Sequence, residues 1–230
     1  MVSGAAVRDA VSRAKRLPAL GVGLHLVLVN GRPTSAREDV SELVGPDGNF
    51  RNDLFAAGVR FFASPKARRQ LEAEIRAQFR AFAETGLRLD HVNAHNHMHV
   101  HPTVFAAILR VGRDFGMPAL RFPYEPFVHP NVALRVANAL LFYPWLGSMK
   151  ARMRAAGVSH NDAMFGLGDT GGMNPARVRA LLEQLPEGTT EIYFHPDVGN
   201  ADFAALCDSS VADAVRSAHV VTTTFSANAA

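Results

Sequence analysis

Half of the ten histidines fall between positions 91 and 101, in the run LDHVNAHNHMHVHP. They are His91, His95, His97, His99 and His101, all at odd positions, and Asn93 completes the odd series. The even positions, Val92, Ala94, Asn96, Met98 and Val100, are mostly apolar. On a β-strand this period of two puts the imidazoles on one face. Imidazoles packed against a closed core leave many ring nitrogens in need of partners, and a metal ion supplies such partners. Imidazole suits zinc and other first-row metals, whereas carboxylate and water suit magnesium. The competing reading is a His-rich surface strand. Pro102 opens a helix, so the strand cannot stay regular to His101, and only two or three of these histidines can meet at one ion.

Two further histidines sit at strand ends. His25 lies in GVGLHLVLV, otherwise wholly apolar. Alone it reads as a satisfied core residue; beside the histidine-rich strand it becomes a second supplier to the same ion. His195 ends EIYFHP, an apolar strand stopped by proline. Catalytic groups in parallel α/β folds gather at the carboxyl ends of strands. His195 is therefore a candidate general acid or base, or a charge stabiliser, and otherwise a strand cap. Among the carboxylates, Asp90 precedes the histidine strand and Asp162 and Asp169 flank MFGLG. Asp197 is placed to orient the His195 imidazole.

The elements that must position these residues alternate between short apolar runs and longer amphipathic ones. Strands are expected at 20–29, 89–97, 119–122, 163–167, 191–195 and 220–225. Helices are expected over 66–85, where Leu71, Ile75, Phe79 and Phe82 recur at helical spacing, and over 103–115 after Pro102. Asn174 with Pro175 reads as an N-cap and first-turn proline for a helix to Leu185. The segment 37–64, with its Pro46-Asp47-Gly48-Asn49 turn, reads as an insertion or lid. The alternation implies parallel strands and an α/β class in a single domain over residues 1–230.

With 230 residues and 48% hydrophobic side chains, the chain can bury a sizeable core. The net charge of +3 permits an anionic partner or membrane surface without requiring one. No run of five or more like charges and no nucleic-acid motif occurs, so a nucleic-acid partner is not expected. The single cysteine, Cys207, cannot close an internal disulfide. Together with the lack of a signal core or a spanning apolar run, it points to the cytoplasm, with peripheral contact at the inner membrane left open.

The elements GVGLHLVLVNGRP, HVNAHNHMHVHP and EIYFHP, in this order, resemble the YdjC-like carbohydrate deacetylases. The likeness runs along the whole chain. It is closest to the hopanoid-biosynthesis-associated branch, through LRFPYEP, the segment around Trp145 and HNDAMFGLGDTGGMN. It implies a TIM-barrel-like (β/α) barrel, irregular in outline. It implies a divalent metal, Mg2+ by family habit with Zn2+ as the other candidate. The ion is held in the family by an N-terminal Asp and two histidines. By motif position these are His25 and His95. The family's usual Asp two residues before His95 is Asn93 here. The family also opens with a strand ending Asp-Asp-Phe-Gly, a motif not found in this sequence, so a barrel lacking its first strand–helix unit is expected.

The activity implied is removal of an acetyl group from an N-acetylated sugar, on a small-molecule or lipid-linked amino sugar. His195 would serve the leaving amine or the oxyanion. Arg121, in LRFP, is a candidate substrate-binding residue, or else a surface arginine. The helical segment 131–155, apolar and then basic, would meet a lipid or else pack on the barrel. A homodimer is compatible with all of this. The competing reading is a catalytically impaired remnant that binds metal or sugar; a more distant one is a metallohydrolase of a different family.

Overall fold

The computed structural model describes residues 1–126 and 132–229. They fall into two compact units. The first comprises Met1–Arg121, Met153–Ser159 and Thr224–Ala230, and the second Phe122–Arg152 and His160–Thr223.

In the first unit, helix α1 (Val7–Lys15) precedes strand β1 (Val22–Leu26). Helices α2 (Leu54–Ala63) and α3 (Pro65–Ala83) lead to strand β2 (Leu89–Ala94). A 3-10 turn, His95–Val100, then passes into α4 (Pro102–Asp114). β1 and β2 pair in parallel, with His25 opposite Asn93 and Leu26 opposite Ala94. The parallel order continues through main-chain bonds from Val92 to Ala119 and Arg121, and from Leu120 to Ser159. Leu24 and Leu26 pack into a core with Ile75, Phe79, Phe105 and Ile108, all buried. The proline at the start of each of α3 and α4 suits a first turn, where its missing N–H is no loss.

The segment beyond β1 is tied down by α3. Gln78 accepts the Val27 N–H at 2.9 Å and donates to the Val27 carbonyl at 2.7 Å. The buried Glu74 carboxylate accepts the main-chain N–H groups of Thr34 and Ser35 at 2.8 and 2.9 Å, and the Gln78 amide at 2.8 Å. These bonds fix the strand end from which His25 projects.

In the second unit, strands β3 (Ala163–Phe165) and β4 (Thr190–Ile192) pair in parallel. Helices α6 (Pro175–Leu182), α7 (Ala201–Cys207) and α8 (Ser209–Ser217) accompany them. Met173, Val178, Leu181, Leu182 and Ala205 form the core. Asn174 caps α6 by accepting the Arg177 N–H at 2.9 Å, as expected. Helix α5 spans Val132–Ala155. Asn131, the start of the expected lipid-facing segment, lies outside the described residues.

The α/β class holds, and the described strands form two two-stranded parallel sheets. The expected last strand is corrected. Residues 220–224 form no strand; Val221 is 90% exposed there, so that apolar run has no core to enter. The segment 37–64 begins as a turn-rich stretch, with a Val44–Phe50 bridge across its turn, and ends in α2. Among the described residues, no helix is long and apolar enough to cross a membrane.

Candidate functional site

The histidine run does not stay a strand. β2 ends at Ala94, and Asn96 and His97 both take left-handed backbone angles, with φ of 50° and 51°. For non-glycine residues this costs about 1–2 kcal/mol each and is found where surrounding structure imposes it. The reversal breaks the alternation, so the five histidines do different things.

His91 donates from Nδ1 to the Asp90 carboxylate at 2.9 Å and stacks on Phe225 with ring centres 4.6 Å apart. Room for it comes from Gly23, where a Cβ would lie 2.5 Å from the ring. Asp90 also accepts the Ser226 N–H at 2.9 Å. Burial pushes its carboxyl up, but the His91 and Ser226 contacts outweigh that and hold it below its ordinary value. His101 caps α4, its Nδ1 accepting the Thr103 N–H at 3.3 Å. These two histidines are structural.

His25 and His95 come together. Their rings stand edge-on with centres 5.7 Å apart, one from β1 and one just past the end of the neighbouring β2. Burial lowers His25 to about 4, helped by the positive charge nearby and opposed by Asn93. The ring is therefore neutral at neutral pH, the form that ligates a metal. His97 is also lowered to about 4 by burial, then by Arg121 and His95. His99 is fully buried, with neither ring nitrogen in a complete hydrogen bond, although the Arg121 main chain favours its protonated form slightly. Desolvation dominates and drives its pKa well down.

Arg121 is 8% exposed, which removes the surface-arginine reading. Its guanidinium lies 3.2 Å from the Asn93 amide, whose other end lies 2.6 Å from His25 Nδ1. A guanidinium can only donate, so the amide oxygen belongs on Arg121 and the amide nitrogen on His25. An opposite assignment would set two donors against each other.

The facing imidazoles of His25 and His95 fit two positions of a metal's coordination sphere. Among the described residues no group of three His, Cys, Asp or Glu side chains is arranged to hold an ion. The donor pair is softer than the oxygen set magnesium prefers and suits a first-row metal.

The second unit holds His195, exposed and three residues beyond β4. The Tyr193 hydroxyl meets its Nδ1 at 3.0 Å. Asp202 accepts its main-chain N–H at 2.6 Å, and Asn200 donates to its carbonyl at 2.9 Å. The expected orienting residue, Asp197, instead accepts the Val198 N–H of its own turn at 2.7 Å. Asp162 bonds Lys150 and the Thr189 N–H, and Asp169 bonds Arg177. Tyr193, Asp202 and Asn200 were not singled out from the sequence. A tyrosine two residues before a strand-end histidine, on the same face of an extended chain, was a readable signal; Asp202 carried none.

Residues 1–217 match the family described as YdjC-like protein. A carbohydrate deacetylase of Oceanobacillus iheyensis is 34% identical over 208 residues, 88% of this chain and 73% of that protein. Another, of Geobacillus stearothermophilus, is 29% identical over 216 residues, 92% of this chain and 73% of that protein. A third, of Brevibacillus brevis, is 36% identical over 126 residues, 54% of this chain and 46% of that protein. A crystal structure from Enterococcus faecalis V583, of a protein described as a cellobiose-phosphate cleavage protein, superposes with a TM-score of 0.72. It is 19% identical and the match covers 100% of this chain and 86% of that one, a likeness of fold.

Proposed function

The chain belongs to the YdjC-like family, and from that premise we propose that it is a carbohydrate deacetylase, a hydrolase that removes an acetyl group from an N-acetylated sugar. The observation that supports a metal-assisted reaction is the facing pair His25 and His95, 5.7 Å apart on neighbouring strand ends. Bound there, a divalent ion would polarise the acetyl carbonyl as a Lewis acid. Family habit favours Mg2+; the imidazole pair favours Zn2+. We read the parallel strand order as part of an irregular (β/α) barrel.

The chain's own residues take the remaining roles. Arg121 binds a substrate oxygen through its guanidinium. His195, held by Tyr193, Asn200 and Asp202, moves a proton to the leaving amine or faces the oxyanion. The finer substrate reading is an N-acetylglucosaminyl hopanoid, with peripheral membrane contact through α5. The second reading is a protein that binds metal or sugar without turnover, with His25 and His95 as the donor pair among the described residues.

Acetate release from N-acetylglucosaminides, measured with Mg2+ and Zn2+ supplied separately, tests the proposal. Release that disappears on chelation and in His25→Ala supports it. Sugar binding with no acetate released under either metal supports the second reading instead.

A further inference from the structure

Resting on the reading of His25 as an ion ligand, we propose that Asn93 is a positioning residue whose amide couples the proton position on His25 to the place of the Arg121 guanidinium. Asn93 stands directly opposite His25 in the β1–β2 register. Its side chain is buried between His25 Nδ1 at 2.6 Å and Arg121 Nη1 and Nη2, both at 3.2 Å. The remaining neighbour, His91 Nε2, is 3.4 Å away.

A carboxamide has one accepting end and one donating end, and a guanidinium only donates. With Arg121 in this place the amide oxygen faces it. The NH2 group then donates to His25 Nδ1, and the neutral ring carries its proton on Nε2. Nδ1 is occupied by Asn93, so Nε2 is the atom left for an ion. Taking an ion requires Nε2 to lose its proton and Nδ1 to gain one. The amide must then turn to present its oxygen to Nδ1–H. That turn points the NH2 group at Arg121, leaving it only the long contact to His91, so the guanidinium must leave. Arg121 on Asn93 and an ion on His25 therefore oppose each other. A substrate oxygen that draws Arg121 away frees the amide to turn. Ion and substrate then favour each other's binding. A carboxylate at position 93 would accept from both sides and remove the conflict.

The test uses ¹⁵N-histidine-labelled, chelator-treated full chain, with the His25 signals identified by their loss in His25→Gln. Long-range ¹H–¹⁵N spectra should place the His25 proton on Nε2 in the wild type and on Nδ1 in Asn93→Asp. In Arg121→Met the amide is no longer held, and the Nδ1–H form should rise. Titration with Zn2+ should show Asn93→Asp binding about 10–100-fold tighter than wild type, the usual range for changes to a ligand's supporting partner. A wild-type ring protonated on Nδ1, or a tautomer unmoved in Arg121→Met, overturns the coupling. If the tautomers behave as stated but neither protein takes up Zn2+, the ion reading of His25 fails and the amide coupling stands.

Discussion

The carboxylate of Asp202, 0% exposed, accepts the main-chain N–H of His195 at 2.6 Å. The same carboxylate accepts the N–H groups of Met173 at 2.9 Å and Gly171 at 3.3 Å. One side chain on α7 thus gathers the loop before α6 and the chain after β4. Asp202→Ala strands three buried or part-buried donors, each costing about 1–3 kcal/mol. Global destabilisation of about 2–4 kcal/mol is expected in urea melts, with acetate release falling in step. An unchanged melt would show that water replaces the carboxylate.

The Tyr193 hydroxyl meets the His195 ring. Tyr193→Phe removes only the hydroxyl that meets Nδ1 at 3.0 Å on an exposed surface. Turnover should fall about tenfold with KM and melting temperature nearly constant, against a loss of about 10²–10⁴-fold in His195→Ala. A melting temperature that falls as far as the rate would mark Tyr193 as structural.

Stability should fall in acid through the buried imidazoles. Burial holds His25 and His97 at about 4 and His99 well below its ordinary value, against about 6.5 in the unfolded chain. Between those values the unfolded state binds more protons than the folded one. The stabilisation is therefore complete above about pH 6.5 and is lost as pH falls towards 4, by at most about 1.4 kcal/mol per pH unit for each histidine. Denaturant midpoints measured from pH 7.5 to 4.5 check this, and His99→Leu should flatten the slope. A slope unchanged in that variant would clear His99 of the effect.

The parts legible in the sequence were those set by local pattern. The apolar spacing of α3, the prolines opening α4 and α6, and the Asn174 cap each act within one turn. The nearness of His25 and His95 followed from motif position and parallel pairing. The period-two face of histidines failed because Asn96 and His97 turn left-handed, and only the fold around them imposes that. Residues 220–225 failed because an apolar run is not a strand without a neighbour to pair with. Asp202 was illegible because its partners are main-chain groups about 7–31 positions away, whereas most loop aspartates only cap turns. Glu74 and Gln78 were readable: they are polar residues one helical turn apart on the apolar face of α3.

The left-handed pair gives a direct test of strain. Asn96 is exposed and its φ of 50° suits glycine. Asn96→Gly relieves the conformation but frees the unfolded chain, and the two effects oppose. A net change within about 1 kcal/mol, stabilising in sign, is expected, with the Zn2+ affinity of His25 and His95 retained. Asn96→Val, β-branched, should instead cost more than about 1 kcal/mol and weaken the ion. Equal stability of the two variants would show that the turn is not strained.

Glu74 links the core to the candidate site at a distance. It is fully buried, and its two oxygens hold the N–H groups of Thr34 and Ser35 while also accepting Gln78. Gln78 in turn clasps both main-chain groups of Val27, two residues beyond His25. Glu74→Leu keeps the apolar volume but leaves two main-chain donors and the Gln78 amide without their acceptor. Each unsatisfied group costs about 1–3 kcal/mol, so a loss of about 2–4 kcal/mol is expected after local relaxation. The loop after β1 should exchange its amide hydrogens faster, at Thr34 and Ser35 first. His25 is anchored in the β1–β2 ladder, so its Zn2+ affinity should weaken less than in Gln78→Leu, which releases Val27 itself. Hydrogen exchange at these amides beside Zn2+ titration of both variants decides it. Faster exchange with the opposite order of affinities would mean that the loop, and not the strand end, sets the His25 position.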